Sequence, residues 1–240
     1  MPRFLRYDEL DSTNRLLKEL ARDGAENGTV VMADRQSAGR GRLGRSFFSP
    51  EGGLYMSMLL KGENVVSHLN LVTPMAAVAV RRAIRELTGY ECSVKWVNDL
   101  YGGGKKFTGI LAEAVNSAGR VDGVVIGIGV DLVESDFPPE LRDIVTSLYA
   151  LCGKRVSPEP LARLIAREMT SLASSLPDIS FMDEYRSACF LTGLEVRVTR
   201  QGRELTGIVR GIADDASLLV ESNGEFVHIS TGEATVRTTR

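Results

Sequence analysis

Helical spacing shows first in Leu16, Leu17, Leu20 and Ala21, which follow the capping-type residues Asp11, Ser12, Thr13 and Asn14 and stop at Gly24. That pattern predicts a helix over residues 13–23. Two apolar runs, residues 29–33 and 54–60, read as strands on either side of a polar loop. Ala76, Ala77, Val80, Ile84 and Leu87 then line one helical face, with Thr73 as N-cap, Pro74 as first helical residue and Gly89 as terminator. Arg81, Arg82, Arg85 and Glu86 fall on its solvated side.

A strand is next expected to deliver Lys95 and Trp96, with Asn98 and Asp99 at its end. Gly102, Gly103 and Gly104 turn the chain back into a strand carrying Lys106. Residues 122–132 pair with that strand across a turn at 116–120, and Gly127 and Gly129 break their apolar run, which implies close approach by a ligand or another backbone. Between residues 138 and 192 the period is helical. Leu161, Leu164, Ile165 and Leu172 form one face there, started by Ser157-Pro158 and stopped by Pro177. From Gly193 the runs become short and alternating (195–200, 204–212, 217–221, 225–229 and 234–237), with hairpin signals at Gln201-Gly202, Asp214-Asp215 and Asn223-Gly224. These predict a small five-stranded barrel, a second domain at 193–240 behind a first at 1–192.

The loop between the first two strands carries the densest chemistry. Arg35, Arg40, Arg42 and Arg45 alternate with Gly39, Gly41 and Gly44, so guanidinium forks sit on backbone able to approach a ligand closely. This is an anion cradle by composition, and a solvated basic turn is the plainer alternative. Residues 39–44 also match G-x-G-x-x-G. That fingerprint needs a helix to follow, and Ser46-Phe47-Phe48-Ser49-Pro50 leads into a strand instead, which argues against a dinucleotide fold. A second concentration is Lys95, Trp96, Asn98, Asp99 and Lys106, which unites the only tryptophan with two lysines and an Asn-Asp pair. Lys105 reads as an ordinary exposed hairpin lysine. Ser12, Thr13 and Asn14 exceed what one helix cap requires, yet caps usually only cap.

Composition narrows the classes. At 240 residues, net charge −2 and pI near 5.8, the chain can bury a full core and carries no broad attraction for nucleic acid or membrane. No apolar run approaches the roughly 20 residues of a membrane span, and Met1-Pro2-Arg3-Phe4 opens no secretory segment, so a cytoplasmic location is expected. Cys92, Cys152 and Cys189 are odd in number and far apart, fitting buried reduced thiols better than disulfides or a metal site. Two isolated histidines, His68 and His228, supply neither a zinc site nor a nucleophile pair. Asn27-Gly28-Thr29 matches a glycosylation acceptor and reads as a turn.

Taken together, the motifs resemble the biotin protein ligases. Residues 36–45 resemble the family's GRGRxGR loop, Ser12-Thr13-Asn14 its STN motif, 95–99 its KWPND, 106–111 its KxxGIL and 127–132 its GxGIN; 207–211 and 232–237 resemble its terminal SH3-like barrel. With the barrel included the likeness covers nearly the whole chain, and five motifs in order are specific where any one alone is weak. Val97 stands where the family usually has proline, and Asp131 replaces the usual asparagine, removing an amide donor and adding a charge. Because the chain begins almost at the STN motif, the likeness is to the ligase without the DNA-binding domain of bifunctional ligase/repressors, and no DNA binding is expected.

The resemblance implies an α+β fold, a mixed β-sheet flanked by helices of the class II synthetase type, with the barrel behind it. It implies ATP and biotin as substrates with Mg²⁺, and as partner the carrier domain of a biotin-dependent carboxylase; whether two copies pair as a homodimer is left open. Biotin would be held by Ser12, Thr13, Asn14, Gln36, Gly39, Arg40, Arg42, Gly109, Ile110 and Leu111. Arg40, Arg42, Phe47, Lys95, Trp96, Asn98, Lys106, Asp131 and Arg237 would meet the nucleotide. Phe47 takes the place of the aromatic that stacks on adenine, and Lys106, Arg42 and Asp99 would carry the chemistry. Carboxylates do not acylate amines at neutral pH, so an adenylate must form first, and forked cations suit its crowded phosphates. A lipoate or octanoate transferase, or a silent biotin- or nucleotide-binding module, is the alternative; the pairing of Lys106 with Asp99 argues against a silent module.

Overall fold

A computed structural model describes residues 2–117, 119–200 and 203–236. Strand β1 (Arg3–Leu10) leads through helix α1 (Thr13–Arg22) to β2 (Thr29–Gln36), and the basic loop then opens into β3 (Leu54–Lys61). Helices α2 (Glu63–Ser67) and α3 (Leu69–Thr88) follow. Four strands come next: β4 (Ser93–Lys95), β5 (Asp99–Gly102), β6 (Lys105–Ser117) and β7 (Arg120–Val130). After α4 (Leu148–Cys152), α5 (Pro158–Ser175) and α6 (Phe181–Ala188) the chain enters β8 (Glu195–Arg200), β9 (Arg203–Ile212), β10 (Leu218–Ser222), β11 (Glu225–Ile229) and β12 (Glu233–Val236).

The first seven strands form one sheet in the order β1-β2-β3-β7-β6-β5-β4. Its β1–β2 pair is parallel, joined by α1 as a crossover, and the other pairs are antiparallel, so the sheet is mixed. Alternation along β3 and β7 explains the layers. Met56, Met58 and Leu60 with Ile126 and Ile128 belong to the core shared with α3 and α5, while Leu59 and Val125 belong to a smaller one with Leu17 and Ala21 of α1. Both faces of β3 are therefore covered, and seven of its eight residues are buried.

Three local expectations change. No signal marked β1, because an edge strand with the exposed ion pairs Arg6–Asp34 and Arg35–Glu9 lacks a clean two-residue period. Helix α3 starts at Leu69, not Thr73; burial of Leu71 and Val72 extends its apolar face and outweighs the one backbone bond that Pro74 cannot make. The strand expected to carry Lys95 to Asp99 is two antiparallel strands, β4 and β5, with Lys95 opposite Asp99.

The C-terminal strands form a separate antiparallel sheet in the order β11-β10-β9-β8-β12. It takes the place of the expected barrel: among the described residues β11 and β12 stay its two edges. Its buried Val196, Val209, Leu218 and Ala234 join the main core. Trp96 Nε1 donates to Ala216 O at 2.9 Å, Arg186 Nε to Ile212 O at 3.0 Å and Asn70 Nδ2 to Asp215 O at 2.8 Å. Cys92 and Cys189 are buried; Cys152 is only half-buried, held by the short α4.

Candidate active site

One cleft gathers most of the predicted chemistry. Its floor is the α1 face of the sheet beyond the N-terminus of α1. Leu59, Val115 and Val125 fill that face under the helix; in front of it the strands carry Gly109, Gly127 and Gly129 instead. The glycines are needed for space. A Cβ on Gly127 would fall 2.3 Å from Asn14 Oδ1, and one on Gly129 only 2.4 Å from the Phe47 ring. The cleft has a volume of about 140 Å³.

At one end sit the first residues of α1. Ser12 accepts from Arg15 N as N-cap, and Thr13 N donates to Gln36 Oε1 at 2.9 Å. Asn14 is spent on the protein: Nδ2 donates to Glu113 Oε2 (2.9 Å) and Leu111 O (3.2 Å), and Oδ1 accepts from Ser57 at 2.6 Å. Sequence reasoning missed Ser57 and Glu113. Ser57 stands in an otherwise apolar strand, and a polar residue there was the available signal.

The basic loop folds back on itself. Phe47 N donates to Gly39 O and Gly41 N to Arg45 O, with a bridge between Arg40 and Ser46. Gly39 is buried inside this hairpin, where a Cβ would lie 2.4 Å from Phe47 O, so it shapes the loop and does not line the cleft. Arg42, half-buried, donates to Asn98 Oδ1 at 3.1 Å and to Gly232 O at 3.2 Å. Burial pulls its guanidinium pKa down, and the charges of Asp99 and Glu233 pull against that. Arg45 reaches Glu233 with two bonds of 2.9 and 2.6 Å, which hold that carboxyl below its ordinary range. Glu233 is a cleft residue the sequence did not mark.

The far end holds the charged pair. Lys106 Nζ lies 2.7 Å from Asp99 Oδ1, an ion pair without the alignment of a hydrogen bond. The Lys106 backbone is clamped on its outer side by Ile144 O and Thr146 N at 2.9 and 2.8 Å. Its Nζ also stands 5.9 Å from the centre of the Phe47 ring, which covers Gly109 and Gly129 and meets Tyr55 edge-on. Asn98 Nδ2 donates to Ile110 O at 2.9 Å, and Lys95 Nζ lies 5.6 Å from the Tyr101 ring. Trp96 is 3% exposed and faces the C-terminal sheet with its indole N–H, so only its edge borders the cleft. Asp131 is buried outside the lining, where burial raises its carboxyl to about 7 against the pull of Lys106. Arg237 lies outside the described residues.

This arrangement places guanidinium and ammonium groups beside a carboxylate, next to a floor of bare backbone and a polar end. Two family profiles match the chain: the Biotin/lipoate A/B protein ligase family over residues 7–131, and the Biotin protein ligase C terminal domain over 192–237. The chain belongs to the biotin protein ligase family. It is 35% identical over 225 residues to the bifunctional ligase/repressor BirA of Bacillus subtilis, covering 90% of this chain and 69% of that one. With the biotin--[acetyl-CoA-carboxylase] ligase of Paracoccus denitrificans it shares 30% identity, over 88% and 90% of the two chains. The solved biotin protein ligase of Aquifex aeolicus, in complex with biotin and ATP, superposes with a TM-score of 0.87 at 30% identity over the full length of both chains. Among this ligase's described residues no helix is long and apolar enough to cross a membrane.

Proposed function

We propose that this protein activates biotin with ATP to biotinyl-5'-AMP and passes the biotinyl group to a lysine of a biotin carboxyl carrier domain. The observation carrying the reading is the Lys106–Asp99 pair at 2.7 Å, within one cleft with Arg42 and the polar end built by Thr13 and Gln36. In the first step the biotin carboxylate attacks the α-phosphorus and pyrophosphate leaves; Arg40, Arg42 and Lys106 neutralise the charge that gathers on the phosphate. Ser12, Thr13 and Gln36 hold the biotin head over Gly109, and Phe47 and Asn98 border the adenylate. In the second, the acceptor amine attacks the acyl carbon, AMP leaves, and Asp99 takes the proton that the amine gives up. Residues 1–192 form the catalytic unit in this reading and 193–240 the C-terminal one.

Mg²⁺ bound to ATP would add charge neutralisation at the phosphates. Among the described residues no group of three or more His, Cys, Asp or Glu side chains is placed to hold a metal, so the donor set fits an ion carried mainly by phosphate oxygens and water. Asp131 is assigned no metal contact.

Pyrophosphate exchange into ATP tests the reading. Exchange that depends on biotin and not on lipoate, followed by a mass increase on a carrier-domain lysine, is expected. Exchange driven by lipoate or octanoate would transfer the assignment to the sister activity, and ligand binding without exchange would leave a silent binding module.

A further inference from the structure

A continuous line of polar contacts runs beneath the α1 end of the cleft, from a half-buried ion pair to the basic loop. Lys18 Nζ lies 2.8 Å from Glu113 Oε1, and Glu113 Oε2 accepts from Asn14. Asn14 Oδ1 accepts from Ser57 Oγ at 2.6 Å, Ser57 Oγ stands 2.7 Å from Thr13 Oγ1, and Thr13 N meets Gln36 Oε1. Gln36 Nε2 then donates to Ser49 Oγ at 3.0 Å, and Ser49 to Phe47 O at 2.9 Å. Ser57 is fully buried; Thr13, Asn14 and Ser49 are 5% exposed or less.

The direction of the bonds from Glu113 to Ser57 follows from the first member. An ionised carboxylate and the Leu111 carbonyl can only accept, so both turn the amide nitrogen of Asn14 towards themselves and its oxygen towards Ser57. Ser57 has one hydroxyl proton and must give it to that oxygen. The single Thr13 proton then has two acceptors in reach, Ser57 Oγ at 2.7 Å and Gln36 Oε1 at 3.1 Å, and whichever takes it the lone pairs of Thr13 Oγ1 remain to accept. Burial alone would raise the Glu113 carboxyl, but the bonds from Lys18 and Asn14 outweigh it and hold the pKa below the ordinary value, so the group stays acceptor-only.

We propose that Glu113, steadied by Lys18, is a positioning residue that sets the hydrogen-bond polarity of this end of the cleft, so that Thr13 accepts from an N–H of the bound ligand. A cyclic urea, with N–H groups flanking its carbonyl, matches a site that accepts at Thr13 and donates through the remaining Gln36 amide proton. The inference rests on the biotin ligase reading and assigns the residue that orients its head-group contacts. Glu113 touches no substrate and works through Asn14 and Ser57.

The test compares Glu113→Leu, Glu113→Gln and Ser57→Ala in biotin-dependent pyrophosphate exchange, with biotin affinity measured by calorimetry. Glu113→Leu leaves only the longer 3.2 Å bond to Leu111 O to hold the Asn14 amide and is expected to weaken biotin binding about 10-fold or more, with kcat at saturating biotin and KM for ATP within about twofold. Glu113→Gln keeps an acceptor for Asn14 and should restore most of the affinity. Ser57→Ala cuts the line between Asn14 and Thr13, so it should reproduce the Glu113→Leu defect even if that variant folds poorly. Unchanged biotin affinity in folded Glu113→Leu or Ser57→Ala overturns the proposal, as does an equal loss in biotin and ATP parameters. Wild-type protein without biotin-dependent exchange would sink the ligase reading itself, whatever the variants do.

Discussion

Replacing either member of the Lys106–Asp99 pair should separate the two half-reactions. At 2.7 Å and an effective dielectric constant of about 20, the two charges attract by about 6 kcal/mol before desolvation. Their side chains are 28% and 20% exposed, so desolvation cancels much of that and leaves a net coupling on the order of 1–2 kcal/mol. Asp99→Asn therefore frees Lys106 for phosphate rather than disabling it, and adenylate formation should stay within about tenfold of wild type, since 1.4 kcal/mol is one factor of ten. Lys106→Ala removes a preorganised charge and should slow adenylation by about 10² to 10³, some 2.7–4 kcal/mol. Transfer from preformed biotinyl-AMP should fall by about 10² or more in Asp99→Asn, the lower range for losing a general base. That defect should shrink as pH rises, because more of the acceptor amine is already unprotonated. Single-turnover experiments on each half-reaction give both numbers. Wild-type transfer by Asp99→Asn, or normal adenylation by Lys106→Ala, refutes this division of labour.

Three further outcomes follow from the same geometry. Gly127→Ala puts a Cβ 2.3 Å from Asn14 Oδ1, and the forced shift should cost about 1–3 kcal/mol with weaker biotin binding; an unchanged melting temperature counts against it. Asp131 carries a folded pKa of about 7 above its ordinary 3.8, so the folded state keeps an extra proton between these values and stability falls as pH rises through that window, levelling above it. Asp131→Asn should flatten this slope and gain about 2–4 kcal/mol at pH 8, read from urea midpoints; an identical slope in both proteins contradicts the assignment. Residues 36–49 should be cut by protease more slowly once biotin and ATP are present, because the loop arginines then gain phosphate partners; equal cutting rates speak against it.

Local sequence determined much of this molecule. The period of Leu17 and Ala21, the alternation that fills β3 and β7, and the turn residues before the C-terminal strands are short-range patterns, and they place most elements within a few residues, with β1, α2, α4 and α6 as exceptions. Composition likewise pointed to the basic loop and the Lys95-to-Lys106 stretch as chemistry. What the tertiary structure decided is how side chains far apart in sequence divide between ligand and protein. Asn14 stands in a binding motif, yet its amide is consumed by Glu113, Leu111 and Ser57, up to 99 positions away. Gly39 belongs to the cradle by composition and is buried in its hinge, and Asp131 lies behind the lining. Glu233 joins the cleft only because the second sheet docks with Trp96 beneath Ala216 and sets its β12 edge against Arg45. A residue type states which bonds a side chain is able to make; only the packed sheet settles which partner takes them, because each proton and lone pair is used once.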